Sequence, residues 1–586
     1  MERGRGIEST LSKALTLQSK MKTESLLLIL GMVSKISPID NAAIVSEISA
    51  ITHVNEKVSI SEIVSHRVIH TSSGPVRGTI TRVLSIPVQT YLGIPYAKPP
   101  IGDLRFRKTV PVDSWTETLE ANRMPPACIQ YATYPFPWYD PEPNKSEDCL
   151  YLNIWTPIDA TAGSKKAVMF WIYGGGPYGS NKKPEYDGRV LAGLGDVIIV
   201  SPNFRVGLLG FLTSATEDLP GNFGIWDLLM ALKWVRMNIE SFGGDPDRIT
   251  LHGESSGSII VSMFCVSPLT KGLFSKAIME SGSAIVLQTN PAQPNVKDSQ
   301  RLAKAVGCAT DEKTIQNDTL NVVNCLRGKD SMYLSKVQIY FNPASDLNFI
   351  VQYGDELFPN PPYEDIRNGR FHQVPLLIGN NQYEGVNLVT KLPDLFGFFG
   401  DKKTILNKTY ATNLLKNSLA LFNCSSDEIA THYFDGVDDH DSLRIKRQLY
   451  KAVGEITLTC PTTYFAESYA NRNNDVYLYI FNHRPSTSPW AKWMGTSHFD
   501  EVQFVFGQPF QKPSVYTALE IELSMMMIHY WTSFAKYGSP RFIYDWPKYS
   551  SKNHTLIYLE AGFNGIRTGI SPSLENCNFV RRCFIL

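Results

Sequence analysis

The sequence lacks a surplus of either charge. Its 56 Lys and Arg residues balance 56 Asp and Glu residues, so the formal net charge is zero. Without a basic surplus the chain has no extended positive field for nucleic acid, and without an acidic tail it has no field that steers cations. The composition therefore predicts a small or neutral partner and no binding of nucleic acid.

Long apolar runs are also missing. The clearest candidate, Leu26–Val33, is far too short to span a bilayer, and no apolar tail closes the chain. It follows two lysines, as the apolar centre of a secretory signal does, and Met21 would be a more usual start than Met1. We expect a signal peptide within 1–34, a flexible segment over 35–68 and a secreted protein without a membrane span. A disordered N-terminal extension is the alternative, because no clean small-residue cleavage site is visible.

Metal-binding motifs are absent as well. None of the nine cysteines forms a Cys-x-x-Cys pair, and the histidines do not cluster. This pattern is more typical of disulfides than of metal ligands, so we expect no metal. We also expect no organic cofactor. Five Asn-x-Ser/Thr sequences, each a predicted glycosylation site, further indicate secretion. They are Asn144, Asn317, Asn407, Asn423 and Asn553.

Over residues 69–586 there is no linker, low-complexity tract or repeat, and apolar runs alternate with helical patterns. Ala167–Tyr173 and Asp196–Val200 are continuous apolar runs, typical of strands buried on both faces. Apolar residues recur every three or four positions over 224–242, which indicates an amphipathic helix. This alternation predicts an α/β fold: one domain with a mostly parallel sheet and helices on both faces.

The clearest catalytic signal is a Gly-x-Ser-x-Gly sequence, Gly253–Gly257. It lies between a predicted strand, Arg248–His252, and a predicted helix, Ser256–Val266, which is the context of a nucleophile elbow. The serine of an elbow occupies a strained turn that needs small neighbours, and the helix dipole favours developing negative charge there. We therefore predict that Ser255 is a nucleophile; a tight turn without chemistry is the alternative.

Three consecutive glycines, Gly174–Gly176, end the first predicted strand upstream of the elbow. Consecutive glycines let the backbone approach a ligand closely, and backbone N–H groups can stabilise the oxyanion formed during acyl transfer. We predict an oxyanion hole formed by Gly175, Gly176 and Ser256. A flexible turn is the alternative, but it does not explain why the glycines follow a buried strand.

Six further segments carry motifs beyond the elbow. They are Tyr91–Ala97, Ser146–Ile154, Phe204–Phe211, Gly221–Gly224, Phe242–Pro246 and Trp493–His498. Together with the elbow, over roughly Ser73 to Cys577, they resemble type-B carboxylesterases of the cholinesterase group. The resemblance implies an α/β-hydrolase fold and a serine hydrolase that cleaves small carboxylic esters.

In this fold the acid and then the histidine follow the serine along the chain. His498 matches the family position of the base, which would take the serine proton and deliver it to the leaving alcohol. His483, at the end of a predicted strand, is the main alternative, whereas His529 lies in a helical pattern. The resemblance implies that Glu384 is the acid that orients the histidine, with Asp500 as the alternative.

The resemblance also implies a set of substrate-binding residues. Glu254 matches a residue that stabilises a substrate cation or supports the histidine; a solvent-facing charge is the alternative. Trp138 lies near the tryptophan with which cholinesterases hold choline by cation–π attraction, and a position in the core is equally expected. Tyr178, just after the triple glycine, completes the predicted set.

Departures from the family pattern bear on selectivity. Pro177 replaces the aromatic residue that usually follows the glycines, and Asn387 replaces the one after the acid. Ser345 and Leu347 stand where the acyl pocket would carry aromatic rings. A site without these rings should be roomier, so we expect a carboxylesterase of broad specificity. A true acetylcholinesterase and a non-catalytic adhesion protein of the same fold are the alternatives.

Three disulfides are implied by the resemblance, although sequence alone cannot choose among the connectivities. They join Cys128 to Cys149, Cys308 to Cys325 and Cys460 to Cys577. Of the remaining cysteines, Cys265 is expected to be a buried thiol in the helix after the elbow. Cys583 is expected either to bridge two subunits of a homodimer or to be a free thiol.

Overall fold

A computed structural model describes residues 67–131, 144–176, 178–341, 349–419, 422, 424–562 and 565–585. The predicted signal peptide and nearly all of the predicted flexible segment lie outside these residues, as do Trp138, Pro177, Ser345, Leu347 and Asn423. The chain divides into two units. The larger consists of Arg67–Val83 and Pro87–Leu586 and contains the whole candidate site, and the smaller includes Leu84–Ile86.

The described strands form one sheet of eleven strands and two small sheets. In chain order they are β1 (Val68–His70), β2 (Pro75–Arg77), β3 (Thr79–Val83), β4 (Ile86–Pro95), β5 (Leu119–Glu120), β6 (Ala127–Cys128), β7 (Lys145–Ser146), β8 (Tyr151–Pro157), β9 (Lys166–Ile172), β10 (Ile198–Pro202), β11 (Gly244–Glu254), β12 (Lys276–Glu280), β13 (Leu376–Asn381), β14 (Val476–Phe481), β15 (Thr555–Leu559) and β16 (Ile566–Ile570).

The large sheet has the order β16-β15-β14-β13-β12-β11-β9-β10-β8-β4-β3, and β1-β2-β5 and β6-β7 form the small sheets. All neighbours from β15 across to β10 run parallel. Antiparallel pairs flank this block: β15 with β16, β10 with β8, and β8 with β4. The prediction of a mostly parallel sheet is confirmed.

The described α-helices lie in the connections from β9 to β15, and one more follows β16. They are α1 (Arg189–Gly195), α2 (Gly207–Phe211), α3 (Phe223–Asn238), α4 (Ser256–Val266), α5 (Ala292–Ala305), α6 (Thr319–Arg327), α7 (Ser331–Phe341), α8 (Pro362–Arg367), α9 (Val386–Lys391), α10 (Pro393–Phe396), α11 (Lys408–Ser418), α12 (Ser426–Tyr433), α13 (Ser442–Gly454), α14 (Cys460–Ala470), α15 (Val502–Val505), α16 (Gln508–Gln511), α17 (Ala518–Tyr537) and α18 (Leu574–Val580). None of them combines the length and the apolar character that crossing a bilayer requires.

Burial explains why the apolar runs became central strands. Every residue of β10 is buried, as is every residue of β9 except Lys166. Helices α3 and α4 pack against β11, α14 packs against β13 and β14, and α17 packs against β9 and β11. The side chains of strands covered in this way are removed from water, which stabilises the fold by roughly 25 cal/mol per Å² of apolar surface buried.

Four disulfides are present, and three are the pairs implied by the resemblance. The fourth joins Cys424 to Cys583 within the chain, so the prediction that Cys583 bridges two subunits or stays free is wrong. Cys583, after α18, thus pairs with Cys424, which lies just before α12 and 159 residues earlier in sequence. Cys265 is a buried free thiol, and burial raises its pKa to about 12, which makes the thiolate scarce.

Candidate active site

Ser255 lies on the turn between β11 and α4, with φ of 55° and ψ of −123°. Positive φ is rare outside glycine and stores strain at functional sites. The flanking glycines make this turn possible. A Cβ on Gly253 would lie 2.6 Å from the carbonyl carbon of Gly257, and a Cβ on Gly257 would collide with the carbonyl oxygen of Ile172. The Gly-x-Ser-x-Gly spacing is therefore a steric requirement of the turn.

The structure brings Ser255, His498 and Glu384 together. Ser255 Oγ lies 2.8 Å from His498 Nε2, and His498 Nδ1 lies 2.6 Å from Glu384 Oε2. The three residues follow β11, β14 and β13 respectively, and parallel strands end at one edge of the sheet, where α/β folds place their sites. The His498 and Glu384 side chains are only 7% and 0% exposed, so water screens their pairing weakly.

Glu384 is held by donors that sequence reasoning missed. Its Oε1 accepts hydrogen bonds from Ser281 Oγ (2.7 Å) and from the backbone N–H of Asn381 (2.6 Å). These contacts leave Oε2 for His498. Ser281 follows β12 directly and has a φ of 56°, but no motif surrounds it, so no signal in the sequence marks it.

The rival histidines are engaged elsewhere. His483 Nε2 lies 3.1 Å from Glu520 Oε1, and Glu520 forms a capping box with Thr517 at the start of α17. His529 lies inside α17 and stacks on Phe542 with 4.4 Å between ring centroids. Both histidines thus have structural contacts around the same helix.

Asp500, the alternative acid, accepts the backbone N–H of Ser497 at 2.7 Å, whereas the ring Nδ1 of His498 faces Glu384. Burial raises the pKa of Asp500 to about 8. Asp500 is therefore mostly protonated at neutral pH and supplies little negative charge to the histidine.

Three more buried glutamates surround the triad: Glu254, Glu280 and Glu501. Burial, reinforced by the neighbouring carboxylates, raises the pKa of Glu254 and of Glu501 well above the usual 4.5. Several carboxyl groups in one dry volume cannot all ionise, so protons are shared among them. Glu501 lies three residues after His498, but only the fold shows that its side chain points into this cluster.

Glu280 anchors the far side of the cluster. Its Oε1 accepts a hydrogen bond from Trp531 Nε1 (2.5 Å) and lies 2.8 Å from His252 Nε2. His252 in turn lies at the edge of the Trp171 ring, with centroids 4.5 Å apart, and stacks on Phe506. These contacts tie the strand that carries Ser255 to α17, which fixes the base of the elbow.

Opposing effects act on the pKa of His498. Burial alone would lower it, but the charge and the hydrogen bond of Glu384, together with the charges of Glu501 and Asp500, outweigh burial, and the net direction is a rise above 6.5. Glu501 and Asp500 add to this rise only while they are ionised, and both have raised pKa values. Glu384 is therefore the main group that stabilises the imidazolium.

The triple glycine lies directly against the elbow. A Cβ on Gly174 would collide with the carbonyl oxygen of Glu254 and would lie 2.8 Å from the Cβ of Ser255. This approach is possible only without a side chain. Sequence reasoning assigned functions to the next two glycines and overlooked this spacing role of the first.

Gly175 and Gly176 have φ of 121° and 66°, a region that favours glycine. Ser256 Oγ donates a hydrogen bond to the carbonyl oxygen of Gly176 (3.2 Å), which links the elbow to the glycine turn. The backbone N–H of Tyr178 donates to the carbonyl oxygen of Gly175 (3.3 Å) and closes this turn. The predicted oxyanion-hole residues thus lie on two adjoining turns beside Ser255.

Glu254 is a buried carboxyl residue beside the His498 ring. Its Oε1 lies 3.1 Å from His498 Nε2, yet within the described residues neither carboxyl oxygen has a well-directed hydrogen-bond partner. An unpartnered buried carboxylate is costly, whereas a neutral acid or a nearby cation removes that cost. Among the positions where the sequence departs from the family pattern, Asn387 lies within the described residues, half-buried on α9.

The arrangement of a serine hydroxyl, an imidazole and a carboxylate suits acyl transfer through a covalent intermediate. The described part of the chain contains no group of three or more His, Cys, Asp or Glu side chains arranged to hold a metal ion.

Comparison with known proteins adds independent findings. A model of the carboxylesterase family matches residues 65–580. Acetylcholinesterase-1 of Trittame loki is 38% identical over 533 residues, which cover 88% of this chain and 94% of that protein. Acetylcholinesterase of Leptinotarsa decemlineata is 34% identical over 547 residues, which cover 87% of this chain and 85% of that protein.

Proposed function

Because this chain belongs to the carboxylesterase family, we propose that it hydrolyses carboxylic esters through an acyl-enzyme formed on Ser255. The observation that carries the proposal is the continuous chain of contacts from Ser255 Oγ through the His498 ring to Glu384, at 2.8 and 2.6 Å. A non-catalytic adhesion protein of this fold would have no need to maintain a strained serine against a buried histidine.

In the first half-reaction Ser255 Oγ gives its proton to His498 Nε2 and bonds to the ester carbonyl carbon. The resulting imidazolium, stabilised by Glu384, protonates the leaving alcohol as the ester C–O bond breaks. Water then repeats the sequence: His498 takes its proton, the hydroxyl attacks the acyl carbon, and Ser255 recovers its proton as the acid leaves.

We propose that the backbone N–H groups of Gly175, Gly176 and Ser256 stabilise the tetrahedral oxyanion. The positive φ values of the two glycines and the contact between Ser256 and Gly176 support this assignment. Such donors lower the barrier because they are already oriented where negative charge develops. Tyr178 closes the same turn and is proposed to border the substrate.

The proposed substrate range is broad. The two relatives are named acetylcholinesterases, which favours acetylcholine hydrolysis as the second candidate. Against strict choline selectivity stands Asn387, where an aromatic ring is expected, together with the burial of Glu254, which raises the pKa of that carboxyl and disfavours its charged form. A neutral carboxyl attracts a quaternary ammonium less than a carboxylate does.

A substrate panel tests this proposal. Phenyl butyrate should be hydrolysed with a kcat/KM at least equal to that for acetylthiocholine, because each missing aromatic ring removes roughly 0.5–2 kcal/mol of cation–π attraction. Phenyl acetate is the matched control. It shares its alcohol with phenyl butyrate and its acyl group with acetylthiocholine, so it separates the effect of acyl length from the effect of the leaving group. A kcat/KM that favours acetylthiocholine over phenyl acetate by about a hundredfold, close to 2.7 kcal/mol, would establish the second candidate instead.

The pH profile gives a second test. His498 must be neutral to accept the serine proton, and its pKa is raised above 6.5, so its protonated form persists to higher pH than that of an ordinary histidine. For neutral phenyl acetate, kcat/KM should therefore fall as the pH decreases through a value above 6.5. Asp500→Asn should leave this acid limb in place, since Asp500 has a pKa of about 8 and is mostly neutral there. An acid limb below pH 6.5 in the native protein would contradict the assignment.

We also propose that the protein is secreted. Four disulfides are typical of an oxidising compartment. Asn144, Asn317, Asn407 and Asn553 are exposed, as glycosylation requires, whereas Asn423 lies outside the described residues.

A further inference from the structure

A cavity of about 740 Å³ lies where the ends of α8 and α14 meet the last turn of the chain. Seven residues line it: Arg367, Ser468, Asn471, Arg472, Arg581, Arg582 and Phe584. No triad residue is among them, so the cavity is separate from the candidate active site. Its volume is in the range of small-molecule sites, which is about 300–1,000 Å³.

The lining is strongly positive although the whole chain is neutral. Four of the seven residues are arginines and none is acidic. Arg581 pairs with Glu467 (2.5 Å) and Arg582 with Glu428 (3.0 Å), but both carboxylates lie outside the lining. A guanidinium has five N–H donors, so one carboxylate does not exhaust it.

The other two arginines, Arg367 and Arg472, have no carboxylate partner for their positive charge within the described part of the chain. Arg472 Nη2 donates to the backbone carbonyl oxygen of Arg367 at 3.4 Å, which brings the two residues together. Across the described residues no carboxylate lies within ion-pair distance of either guanidinium. Two exposed guanidinium groups without an anion therefore face a cavity that already contains two more.

The cluster is held in place by covalent and aromatic contacts. Arg581 and Arg582 lie between Cys577 and Cys583, and both cysteines form disulfides to distant parts of the chain. The Arg581 guanidinium lies over the Tyr464 ring at 4.2 Å, and that of Arg582 lies over the Phe579 ring at 4.2 Å. Arg581 and Arg582 therefore have little side-chain conformational entropy left to lose when a ligand binds, which favours affinity.

The neutral part of the lining adds a donor and an apolar surface. Asn471 Oδ1 accepts a hydrogen bond from Ser551 Oγ (2.6 Å), which identifies the amide nitrogen as its donor end. Phe584 packs edge-on against Tyr464, with ring centroids 5.3 Å apart. The site can thus contact more than a bare inorganic ion.

From these observations we infer that the cavity binds a small organic molecule carrying a phosphate or sulfate monoester. The planar guanidinium fork matches the oxygens of such groups in bidentate fashion, and charge-assisted hydrogen bonds are the strong ones. Arg367 and Arg472 bind the oxyanion, and Asn471 and Phe584 contact the organic part. This binding is independent of ester hydrolysis at Ser255.

Isothermal titration calorimetry of the purified full chain tests the inference. The probes are glucose 6-phosphate and glucose 6-sulfate, with glucose as the neutral control and sodium chloride to match ionic strength. At least one of the two esters should bind saturably at one site. The ester with the lower dissociation constant shows whether the site prefers a phosphate or a sulfate group. Absence of saturable binding by both esters at millimolar concentrations would overturn the inference.

The decisive variant is Arg367→Gln/Arg472→Gln, because both side chains are exposed and neither supports the fold through an ion pair. Its dissociation constant should rise by at least about tenfold, since two charge-assisted hydrogen bonds are lost. Arg444→Gln/Arg447→Gln on α13 removes the same charge from exposed positions and should bind as the native protein does. Equal affinity of both double variants would refute the site, and circular dichroism melting verifies that each is folded.

Discussion

Replacing Ser255 with alanine is expected to lower kcat for phenyl acetate by about 10⁴- to 10⁶-fold. The change removes the hydroxyl that lies 2.8 Å from His498 Nε2 and leaves the elbow glycines and the buried acid cluster intact. The loss should therefore be one of chemistry and not of folding. Steady-state kinetics measures it, and mass spectrometry should find a phosphonate ester reagent bound to Ser255 alone in the native protein.

Ser258→Ala is the matched control, one turn along α4. The Ser258 hydroxyl donates to the carbonyl oxygen of Gly282 (2.6 Å) and takes no part in the triad. This variant should lose about 1 kcal/mol of stability and still react with the phosphonate. Labelling at another residue, or turnover that survives in Ser255→Ala, would show that the nucleophile is misassigned.

The second large effect is expected at His498. His498→Ala should lower kcat by about 10⁴-fold or more, because the serine loses its general base and Glu384 loses the imidazolium that it stabilises. The Glu384 carboxylate would then lie buried with Ser281 and Asn381 as donors but without its charged partner. Some loss of stability should accompany the loss of rate, and urea unfolding measures it.

His483→Ala provides the contrast. His483 contacts Glu520, whose pKa the surrounding hydrogen bonds lower to about 2 although burial acts to raise it, and which caps α17. Its removal should reduce the free energy of unfolding by about 1–2 kcal/mol and leave kcat within about threefold of the native value. The reverse pattern, with activity lost in His483→Ala and kept in His498→Ala, would place the base in the other loop.

The parts of the site that depend on neighbouring residues could be predicted from the sequence. The elbow is determined within five positions, because a serine in left-handed backbone needs glycine on both sides to avoid the collisions seen at Gly253 and Gly257. Apolar patterns likewise predicted β9, β10 and α3, since burial of a strand on two faces leaves a continuous apolar run and burial of one helix face leaves apolar residues every three or four positions.

The partners of Ser255 could not be derived locally. His498 lies 243 residues further along the chain, and Glu384 lies 114 residues before that histidine. Chain order and apolar pattern restrict the choice but do not single out these two side chains. His498 and Glu384 were identified by the resemblance to a family, because the motifs around each residue match the family's. Apolar pattern and chain order alone do not show which distant side chains meet.

Other features appeared only when distant segments met. Ser281 holds Glu384 because β12 and β13 are neighbours, and Cys424 reaches Cys583 because the end of the chain folds back to α12. The sequence by itself thus determined the fold class, the elbow and the neutral overall charge. Only the tertiary structure decided which thiols pair, which carboxyl groups share a dry volume, and that four arginines from three separate parts of the chain line one cavity. The reason is physical: a turn or a strand depends on adjacent residues, whereas burial and electrostatic coupling depend on distance in space.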